Sequence, residues 1–571
     1  MFVIQYKCNQ TKGGDKMVNI RCRKSEGLKD ENSAFVSFDY NPLVVGILRG
    51  LPFRHYNPNN KEWEIPLNKV DFVIDEIKKL GIDVSCNVEK QNGDDIEIKF
   101  KTTPYEYQME GIKYGMSNDR WLLGDEQGLG KTLQVINIAV NRKYQYQYKH
   151  CLIICGVNSL KWNWKNEIQK HSYESGYILG QRLKKTKITV GGNKEKLQDL
   201  DLLLKEPDSF PYFIITNVES MRSHEIADKL KTAIDKGIIS MCACDEIHKL
   251  KNPNSQQTKG FLKLQPKCKI AMTGTPIMNQ PLDVYIILKW LGYENHAFYA
   301  FKKHYCILGG YGGYEVVGYK NLNELKNKVT DVMLRRLKTD VLELPEKIYI
   351  DDVIDMLPKQ AQVYNEVESN IKSNLDLISN SVNPLSMLIR LRQATGYTGI
   401  LSTKIQESAK LDRLEELVEN AVSNNDKCVI FSNWTSMTDV VYERLVKYNP
   451  AVITGDTKDD ERTAQQDKFM TNDNCKVIIG TIGAMGTGLT LTAANTVIFL
   501  DEPWNKALFD QAVDRCHRIG TKSTVFVYSI LCRDTIDEKI HQLIYKKGKL
   551  AEAMLDSNKM SKAELVNYLL S

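Results

Sequence analysis

Two stretches of the chain alternate short apolar runs with segments of helical spacing. In the first stretch the runs lie at 121–123, 152–155, 213–216, 238–244 and 269–273, and in the second at 428–431, 476–480, 496–500 and 525–528. Continuous apolar runs of this length are typical of strands buried on both faces of a parallel sheet. Because helices alternate with them, the pattern predicts two parallel α/β units.

Other parts of the chain show different patterns. From 291 to 410 the strand signals fade and helical spacing dominates, whereas the first hundred residues predict a small α+β segment rich in Asn and Lys. We therefore expect an N-terminal extension, an accessory domain, a first lobe, a helical insertion with the inter-lobe linker, a second lobe and a C-terminal helix. The corresponding ranges are 1–32, 33–99, 100–290, 291–410, 411–550 and 551–571.

Size and charge exclude few classes of protein. At 571 residues the chain is too long for one core, and its 42% hydrophobic and 26% charged residues are ordinary for a soluble globular protein. The 77 basic and 71 acidic side chains leave a net charge of +6, which is too mild to argue for nucleic acid. Any DNA binding must depend on local patches. Without an apolar run of about 18 residues, no membrane span is expected.

Cysteine usage and the N-terminus suggest a compartment. The 13 cysteines are scattered without a Cys-x-x-Cys pair, which argues against a disulfide framework and a zinc module. The N-terminus lacks the features of a secretory signal. We expect an intracellular, soluble protein. The basic pair Lys546 and Lys547 is too short to distinguish cytoplasm from nucleus.

A glycine-rich loop between a predicted strand and a predicted helix carries the clearest chemistry. It consists of Asp125, Glu126, Gln127, Gly128, Leu129, Gly130, Lys131 and Thr132. Backbone N–H groups at a helix start bind phosphate, a lysine reaches the terminal phosphates, and a threonine hydroxyl is a magnesium ligand. The strict pattern places its first glycine where Asp125 stands, with Gly124 one position early. An ordinary strand-to-helix turn is the alternative interpretation.

An acidic pair, Asp245 and Glu246, follows the apolar run 238–244. A buried parallel strand delivers such carboxylates at its C-terminal edge, where Asp245 can hold magnesium together with Thr132 and Glu246 can activate water. A solvated loop start is the alternative for the pair alone. The loop and the pair in one unit predict an ATP hydrolysis site that uses Mg²⁺.

Between Pro104 and Lys549 the chain resembles the SWI/SNF-related ATPases of helicase superfamily two. Its loop has that family's own form, Asp-Glu-x-Gly-x-Gly-Lys-Thr, so Asp125 fits the family. The other segments that carry the resemblance lie at 104–108, 158–164, 215–219, 248–252, 273–279, 333–341, 431–434, 481–489 and 511–520.

The resemblance implies two RecA-like lobes with ATP between them. Tyr105 and Gln108 would bracket adenine, and Gly488 and Gln511 would contribute to the nucleotide site from the second lobe. Arg515 and Arg518 are spaced a helical turn apart, and an arginine brought to the γ-phosphate stabilises the transition state. We expect Arg518 to be this arginine finger and Arg515 its partner. Without the other motifs, the alternative interpretation is a pair of surface arginines on a helix.

The resemblance also implies duplex DNA as the track, gripped by both lobes through its phosphates. Such contacts are independent of base sequence and sensitive to salt. Thr216, Trp434 and Thr481 are the named candidates for this grip. Trp434 could equally be a core residue, since an aromatic after a buried strand commonly packs inside.

The N-terminal segment is similar to the HARP domain of annealing helicases. The similarity rests on 35–42, 51–57 and 61–67, and it makes Arg54, Lys61 and Trp63 candidates for contacts with branched DNA. In the alternative interpretation this is a small accessory domain in which Trp63 packs onto its own helix. The expected partners are duplex or branched DNA and single-strand-binding or replication proteins.

These observations predict an ATP-dependent double-stranded DNA translocase that remodels or reanneals branched DNA. A strand-unwinding helicase is one alternative. A DNA-binding scaffold with a vestigial ATPase is another, although every expected catalytic residue is present.

Overall fold

The computed structural model describes residues 18–24, 32–51, 54–65, 70–86, 100–158, 160–184, 187–274, 281–310, 312, 315–373, 385–486 and 488–545. The predicted C-terminal helix at 551–571, Lys546, Lys547 and residues 275–279 lie outside this part. The chain divides into two compact units. One comprises 1–100, 110–119 and 138–148, and the other comprises 101–109, 120–137 and 149–571.

The N-terminal unit contains a five-stranded sheet in the order β3-β4-β2-β1-β5. Its strands and helices are β1 Val18–Lys24, β2 Asn32–Ser37, α1 Pro42–Gly50, β3 His55–Asn57, β4 Glu62–Ile65, α2 Val70–Lys79 and β5 Val84–Cys86. The α+β prediction is confirmed. β1 pairs with both β2 and β5, so the sheet begins within the range predicted as an extension.

Helix α1 begins where its sequence provides a cap. The side-chain oxygen of Asn41 accepts from the backbone N–H of Leu43 at 2.9 Å, and Pro42 occupies the first turn, where no N–H partner is needed. Apolar residues of α1, α2 and the sheet then form one core, which includes Val44, Trp63 and Val73.

The first lobe contains a seven-stranded sheet in the order β16-β6-β13-β12-β7-β11-β8, with every pair parallel. Its strands are β6 Arg120–Leu123, β7 His150–Cys155, β8 Gly176–Ile178, β11 Phe213–Asn217, β12 Ile239–Asp245, β13 Cys268–Met272 and β16 Met333–Leu334, and a separate hairpin consists of β9 Gln181–Lys184 and β10 Lys187–Val190. The helices are α3 Glu106–Ser117, α4 Lys131–Tyr146, α5 Leu160–His171, α6 Asn193–Lys205, α7 His224–Asp235, α8 Gln256–Leu262 and α9 Tyr285–Leu291. Residues 110–117 of α3 and 138–146 of α4 belong to the first of the two compact units. Because all strands run parallel, the loops after β6, β7, β11 and β12 meet at one edge of the sheet.

The range from 291 to 410 contains the expected helices and also supplies strands to its surroundings. Its elements are α10 Phe298–Tyr305, β14 Cys306–Gly309, β15 Glu315–Tyr319, α11 Leu322–Thr330, β16, α12 Lys338–Val341, β17 Lys347–Ile354, α13 Pro358–Ser373 and α14 Leu385–Gly396. β16 joins the sheet of the first lobe beside β6, and β17 joins the sheet of the second lobe beside β22 (Val525–Cys532).

The second lobe contains a six-stranded parallel sheet in the order β17-β22-β21-β18-β20-β19. Its further elements are α15 Ala409–Ser423, β18 Cys428–Ser432, α16 Thr435–Leu445, β19 Ala451–Ile453, α17 Asp459–Thr471, β20 Val477–Thr481, α18 Ile482–Met485, β21 Thr496–Phe499, α19 Lys506–Val513 and α20 Ile536–Tyr545. The predicted fold class, α/β with two parallel-sheet lobes, is confirmed. Among the described residues no helix is both long and apolar enough to cross a membrane.

Candidate active site

The glycine-rich loop connects β6 to α4 and depends on two of its glycines. Gly128 and Gly130 have φ angles of +86° and +74°, a region that other residues rarely adopt. A Cβ atom at Gly130 would lie 2.3 Å from Nε2 of Gln108. Any other residue at this position would strain the backbone and displace the Gln108 amide.

Lys131 begins α4, and its ammonium group points back at the loop. Nζ donates to the backbone carbonyl of Asp125 at 2.7 Å and to that of Glu126 at 3.3 Å. Burial lowers the pKa of Lys131, and the carboxylates of Glu246 and Asp245 oppose the shift. The two partners of Nζ are carbonyl oxygens, so these bonds leave the ammonium group without an ion pair and able to bind an anion in the loop.

Gln108 supports the loop with its whole side-chain amide. Its Nε2 donates to the carbonyl of Leu129 at 3.1 Å, and its Oε1 accepts from the backbone N–H of Tyr105 at 3.0 Å. The Tyr105 ring is half exposed and stacks on Tyr107 at 6.0 Å between centroids. One face of the Tyr105 ring is therefore open to a ligand, whereas the buried Gln108 holds the loop in place.

The Asp125 carboxylate is fully buried and bonded within the protein. It accepts from Arg336 through Nη2 at 2.6 Å and Nε at 3.1 Å, and from Nε2 of Gln134 at 3.0 Å. What Asp125 can offer a nucleotide is therefore its backbone.

The side chains of the next two loop residues are held from outside the loop. Oε2 of Glu126 accepts from the backbone N–H of Lys338 at 2.8 Å. Oε1 of Gln127 accepts from Nη2 of Arg515 at 3.2 Å, which joins the second lobe to the loop.

Asp245 ends β12 with an oriented carboxylate. Its Oδ2 accepts from the indole N–H of Trp164 at 2.9 Å, and its Oδ1 accepts from the backbone N–H of Glu246 at 2.9 Å. Burial and the neighbouring Glu246 raise the pKa of Asp245 to about 6. A cation beside this pair would relieve the repulsion between the two carboxylates.

Glu246 combines backbone strain with an unsatisfied oxygen. Its φ of 50° and ψ of 46° are left-handed, which costs a non-glycine residue on the order of 1 kcal/mol. Its buried Oε2 has no hydrogen-bond partner, although Nδ1 of His248 lies 3.2 Å away and bonds to Thr273 instead. Burial lowers the pKa of His248 to about 4, so this neighbour is neutral near pH 7. The orphaned oxygen fits a group that receives a proton from water or supports a hydrated Mg²⁺.

The two motif arginines follow α19 instead of lying on it, because that helix ends at Val513. Arg515 donates to the carbonyl of Gly486 at 3.0 Å as well as to Gln127. Arg518 donates to Oγ1 of Thr490 at 3.0 Å, and its Cβ lies 2.9 Å from the position of a Cβ at Gly128. Burial and the neighbouring Arg518 lower the pKa of Arg515 to about 10, so Arg515 remains charged near neutral pH. Burial lowers the pKa of Arg518 as well.

The remaining nucleotide and metal candidates take these positions. Thr132 is the second residue of α4, one position after Lys131. Gly488 has a φ of +78° and precedes Leu489, whose carbonyl accepts from Arg518 at 3.4 Å. Gln511 lies buried in α19. Thr132 and Asp245 therefore stay the predicted metal ligands, and the donor set of a hydroxyl and a carboxylate suits Mg²⁺.

The three DNA candidates of the lobes differ in exposure. Thr216 is buried, and its hydroxyl donates to Ser220 at 3.1 Å, so its side chain presents no surface to DNA. Trp434 is half-buried and packs against the core of the second lobe, with the guanidinium of Arg392 5.2 Å from its ring. Thr481 lies partly exposed at the end of β20.

The candidates in the N-terminal unit also divide. Arg54 and Lys61 are exposed, and Lys61 has a φ of 56° in the turn between β3 and β4. Trp63 is buried in the core of its unit with its ring 5.0 Å from that of Tyr56. This matches the alternative interpretation of Trp63 as a packing residue.

The structure adds functional residues that the sequence reasoning missed. Trp164 orients Asp245, and Arg336 and Lys338 hold the loop. All three lie in the segments 158–164 and 333–341, which carry the family resemblance, so the sequence did mark them as candidates. Sequence spacing does not show which residue of the loop each one meets.

A phosphate loop, an acidic pair and two arginines shared between parallel-sheet lobes define a helicase-type ATPase core. The chain belongs to the SNF2-related family: the SNF2-related domain matches residues 107–399, and the helicase conserved C-terminal domain matches 409–520. The predicted resemblance is confirmed. The prediction of an ATP-using enzyme is confirmed at the level of the family.

Two named relatives are similar to this chain over most of its length. The chain is 28% identical over 490 residues to a putative ATP-dependent helicase/translocase, YwqA, from Bacillus subtilis, covering 81% of this chain and 50% of that protein. It is 26% identical over 501 residues to the human DNA annealing helicase and endonuclease ZRANB3, covering 84% of this chain and 43% of that protein. The chain thus spans half or less of the length of these two relatives.

A solved structure from Sulfolobus solfataricus is also similar. It is a SWI2/SNF2 ATPase core in complex with double-stranded DNA, 25% identical, with a TM-score of 0.36 and coverage of 82% of this chain and 95% of that one.

Proposed function

We propose that this chain is an ATP-dependent double-stranded DNA translocase that remodels or reanneals branched DNA. The observation that carries the proposal is the bond from Arg515 to Gln127 at 3.2 Å, because it brings both lobes to one phosphate loop. A site shared in this way lets events at the nucleotide change the spacing of the lobes.

Each residue has a proposed task in hydrolysis. The loop N–H groups and Lys131 bind the phosphates, and the charge of Arg518, with Arg515 beside it, stabilises negative charge that develops in the transition state. Glu246 receives the proton of the attacking water through its unpaired Oε2. Mg²⁺, held by Thr132 and Asp245, would supply charge neutralisation and Lewis acidity at the phosphates.

We propose DNA as the substrate because relatives that share this ATPase core are named for their action on DNA. ZRANB3 is named a DNA annealing helicase, which favours reannealing over strand separation. We assign backbone contacts to the loops after β7, β11, β18 and β20, with Thr481 as the exposed candidate. Thr216 supports Ser220 behind that surface.

We further propose that the N-terminal unit is HARP-like and reads branched DNA through Arg54 and Lys61. Both are exposed, and they lie in a segment in which a strand, a helix and two further strands follow one another between Asn32 and Ile65. We keep the predicted domain division with three changes: the accessory domain begins at Val18, the sheet of the first lobe extends to Leu334, and that of the second lobe begins at Lys347.

The test is ATPase activity with single-stranded, duplex and forked DNA and with RNA. The proposal expects strong stimulation by duplex DNA and stronger stimulation by the fork. Equal stimulation by duplex and fork would remove the junction-reading role of the N-terminal unit. No stimulation by any DNA would favour a scaffold with a vestigial ATPase.

Strand displacement separates a translocase from an unwinding helicase. A translocase displaces the third strand of a triplex but releases no strand from a partial duplex. Release from the partial duplex at a rate matching ATP turnover would contradict the proposal.

A further inference from the structure

A four-residue segment, 335–338, runs from the end of β16 to the first residue of α12, and we name it the coupling strap. It runs beside the phosphate loop and is bonded to it by both backbone and side-chain groups. The N–H of Glu126 donates to the carbonyl of Arg336 at 3.0 Å, and the N–H of Lys338 donates to Oε2 of Glu126 at 2.8 Å. At its start, Nη1 of Arg335 donates to the carbonyl of Gly124 at 3.0 Å.

One side chain of the strap is fixed to the first lobe by a buried charge pair. Arg336 makes two bonds to the Asp125 carboxylate and a third, at 2.9 Å, to Oε1 of Gln134 in α4. Its side chain is 10% exposed and that of Asp125 is 0% exposed. A bidentate arginine–carboxylate pair in such surroundings fixes orientation as well as distance.

Another side chain of the strap is fixed to the second lobe. Nζ of Lys338 lies 2.7 Å from Oδ1 of Asp514 and donates to the carbonyl of His517 at 2.9 Å. The side chains of Lys338 and Asp514 are 5% and 8% exposed. Asp514 directly precedes Arg515, the arginine that reaches Gln127.

We infer that Arg336 and Lys338 are positioning residues that hold the arginines of the second lobe against the phosphate loop. A single residue separates them, so the connection from Asp125 to Asp514 has little slack. The strap places Arg515 through protein contacts alone, before any nucleotide joins the two lobes. This inference rests on the proposed function, since it assigns the placement of the same ATPase site.

The chain supplies a matched control for Lys338. Lys347 lies 3.5 Å from the same oxygen of Asp514, but it belongs to β17 in the sheet of the second lobe. Lys338→Met removes the charge that crosses between lobes. Lys347→Met removes a charge near the same carboxylate and leaves the strap in place.

The experiment compares ATP turnover in both variants with nucleotide affinity measured by a fluorescent ADP analogue. Misplacing a catalytic group by about 1 Å costs roughly 10²-fold in rate. Lys338→Met should therefore lower kcat by about ten- to a hundredfold, with KM for ATP and ADP affinity within about twofold. Lys347→Met should stay within about twofold of wild type in kcat. Lys338→Arg should recover part of the loss.

Two outcomes would overturn the inference. One is an equal loss of kcat in Lys338→Met and Lys347→Met. The other is a loss of ADP affinity in Lys338→Met that matches its loss of kcat, since the loop itself would then be damaged.

Hydrogen exchange separates this inference from the proposed function and from misfolding. In Lys338→Met, exchange should rise together in 124–132 and 511–520 while the β-strands of both lobes keep wild-type protection. This measurement needs neither DNA nor turnover, so it remains decisive even if DNA gives no stimulation. Unchanged exchange in 511–520 would contradict the inference that the coupling strap positions the arginines of the second lobe.

Discussion

The indole N–H of Trp164 donates to Oδ2 of Asp245 at 2.9 Å, and both residues are buried. Trp164 lies in α5, at the end of the segment 158–164 that carries part of the family resemblance. Its indole instead orients the carboxylate that we propose for Mg²⁺. Groups that orient a metal ligand commonly change metal affinity by about 10- to 100-fold when removed.

Trp164→Phe should weaken the binding of Mg²⁺ at Asp245, because it removes the indole N–H and keeps most of the packing of the ring. We expect the Mg²⁺ concentration for half-maximal ATPase activity to rise by about tenfold or more. Trp162→Phe is the control, because Trp162 lies in the same helix and is only half-buried. A Mg²⁺ dependence equal to that of wild type in Trp164→Phe would show that the bond is structural only.

Glu246→Gln should abolish hydrolysis without abolishing nucleotide binding. The amide cannot accept the proton of water, and loss of a general base costs about 10²- to 10⁴-fold in kcat. Glu225→Gln, at an exposed position of α7, should behave like wild type. Robust ATPase activity in Glu246→Gln would show that another residue is the general base.

Lys131→Ala should also abolish hydrolysis, because the variant loses the ammonium group that binds the phosphates.

Gly130→Ala should disrupt the phosphate loop for two separate reasons. The new Cβ would strain a φ of +74° and would meet Nε2 of Gln108 at 2.3 Å. Gly237 has a φ of +70° with no atom near a Cβ, so Gly237→Ala measures the strain alone, about 1 kcal/mol. We expect loss of ADP-analogue binding only in Gly130→Ala. Equal binding by the two variants would mean that the loop relaxes around the clash.

His541 should make the stability of the second lobe depend on pH. Burial alone would lower its pKa, but bonds to Glu502 at 3.0 Å and Asp351 at 3.2 Å outweigh burial and raise the pKa above its ordinary value. The stabilisation is therefore complete below the unfolded-state pKa and is lost as pH rises through the folded-state pKa.

Thermal unfolding of wild type and His541→Gln tests this sign. The difference in Tm should be largest near pH 5.5 to 6 and should shrink toward pH 9. His304→Gln is the control, because His304 lies half exposed beside Glu324. A difference that grows with pH would contradict the assignment.

The parts of the site that follow strands could be predicted from sequence. A loop or acid at the carboxyl end of a buried parallel strand meets its neighbours at one edge, so 125–132 and Asp245 follow from pattern alone. Family spacing added Arg515 and Arg518, although α19 ends before either of them. We expected Arg515 and Arg518 to lie on one helix, but the segment that contains them consists of non-helical turns.

The remaining features depend on contacts between residues far apart in sequence. Asp125 looked like a substitution in a phosphate loop, whereas its partner Arg336 lies 211 residues away. The strand β16 has only two residues, too few for a periodic signal. The family resemblance made Thr216 and Trp63 candidates for contact with DNA, and tertiary packing buries both.

Strand β16 also determines how the first lobe can be produced. Met333 and Leu334 cover the outer side of β6, and a Cβ at Gly124 would lie 2.7 Å from Sδ of Met333. A fragment ending at residue 290 would leave β6 as an open edge with unpaired backbone groups, which is a template for aggregation. During synthesis the same edge stays open until residue 334 has left the ribosome, so the first lobe completes its sheet only after more than 200 further residues have followed β6.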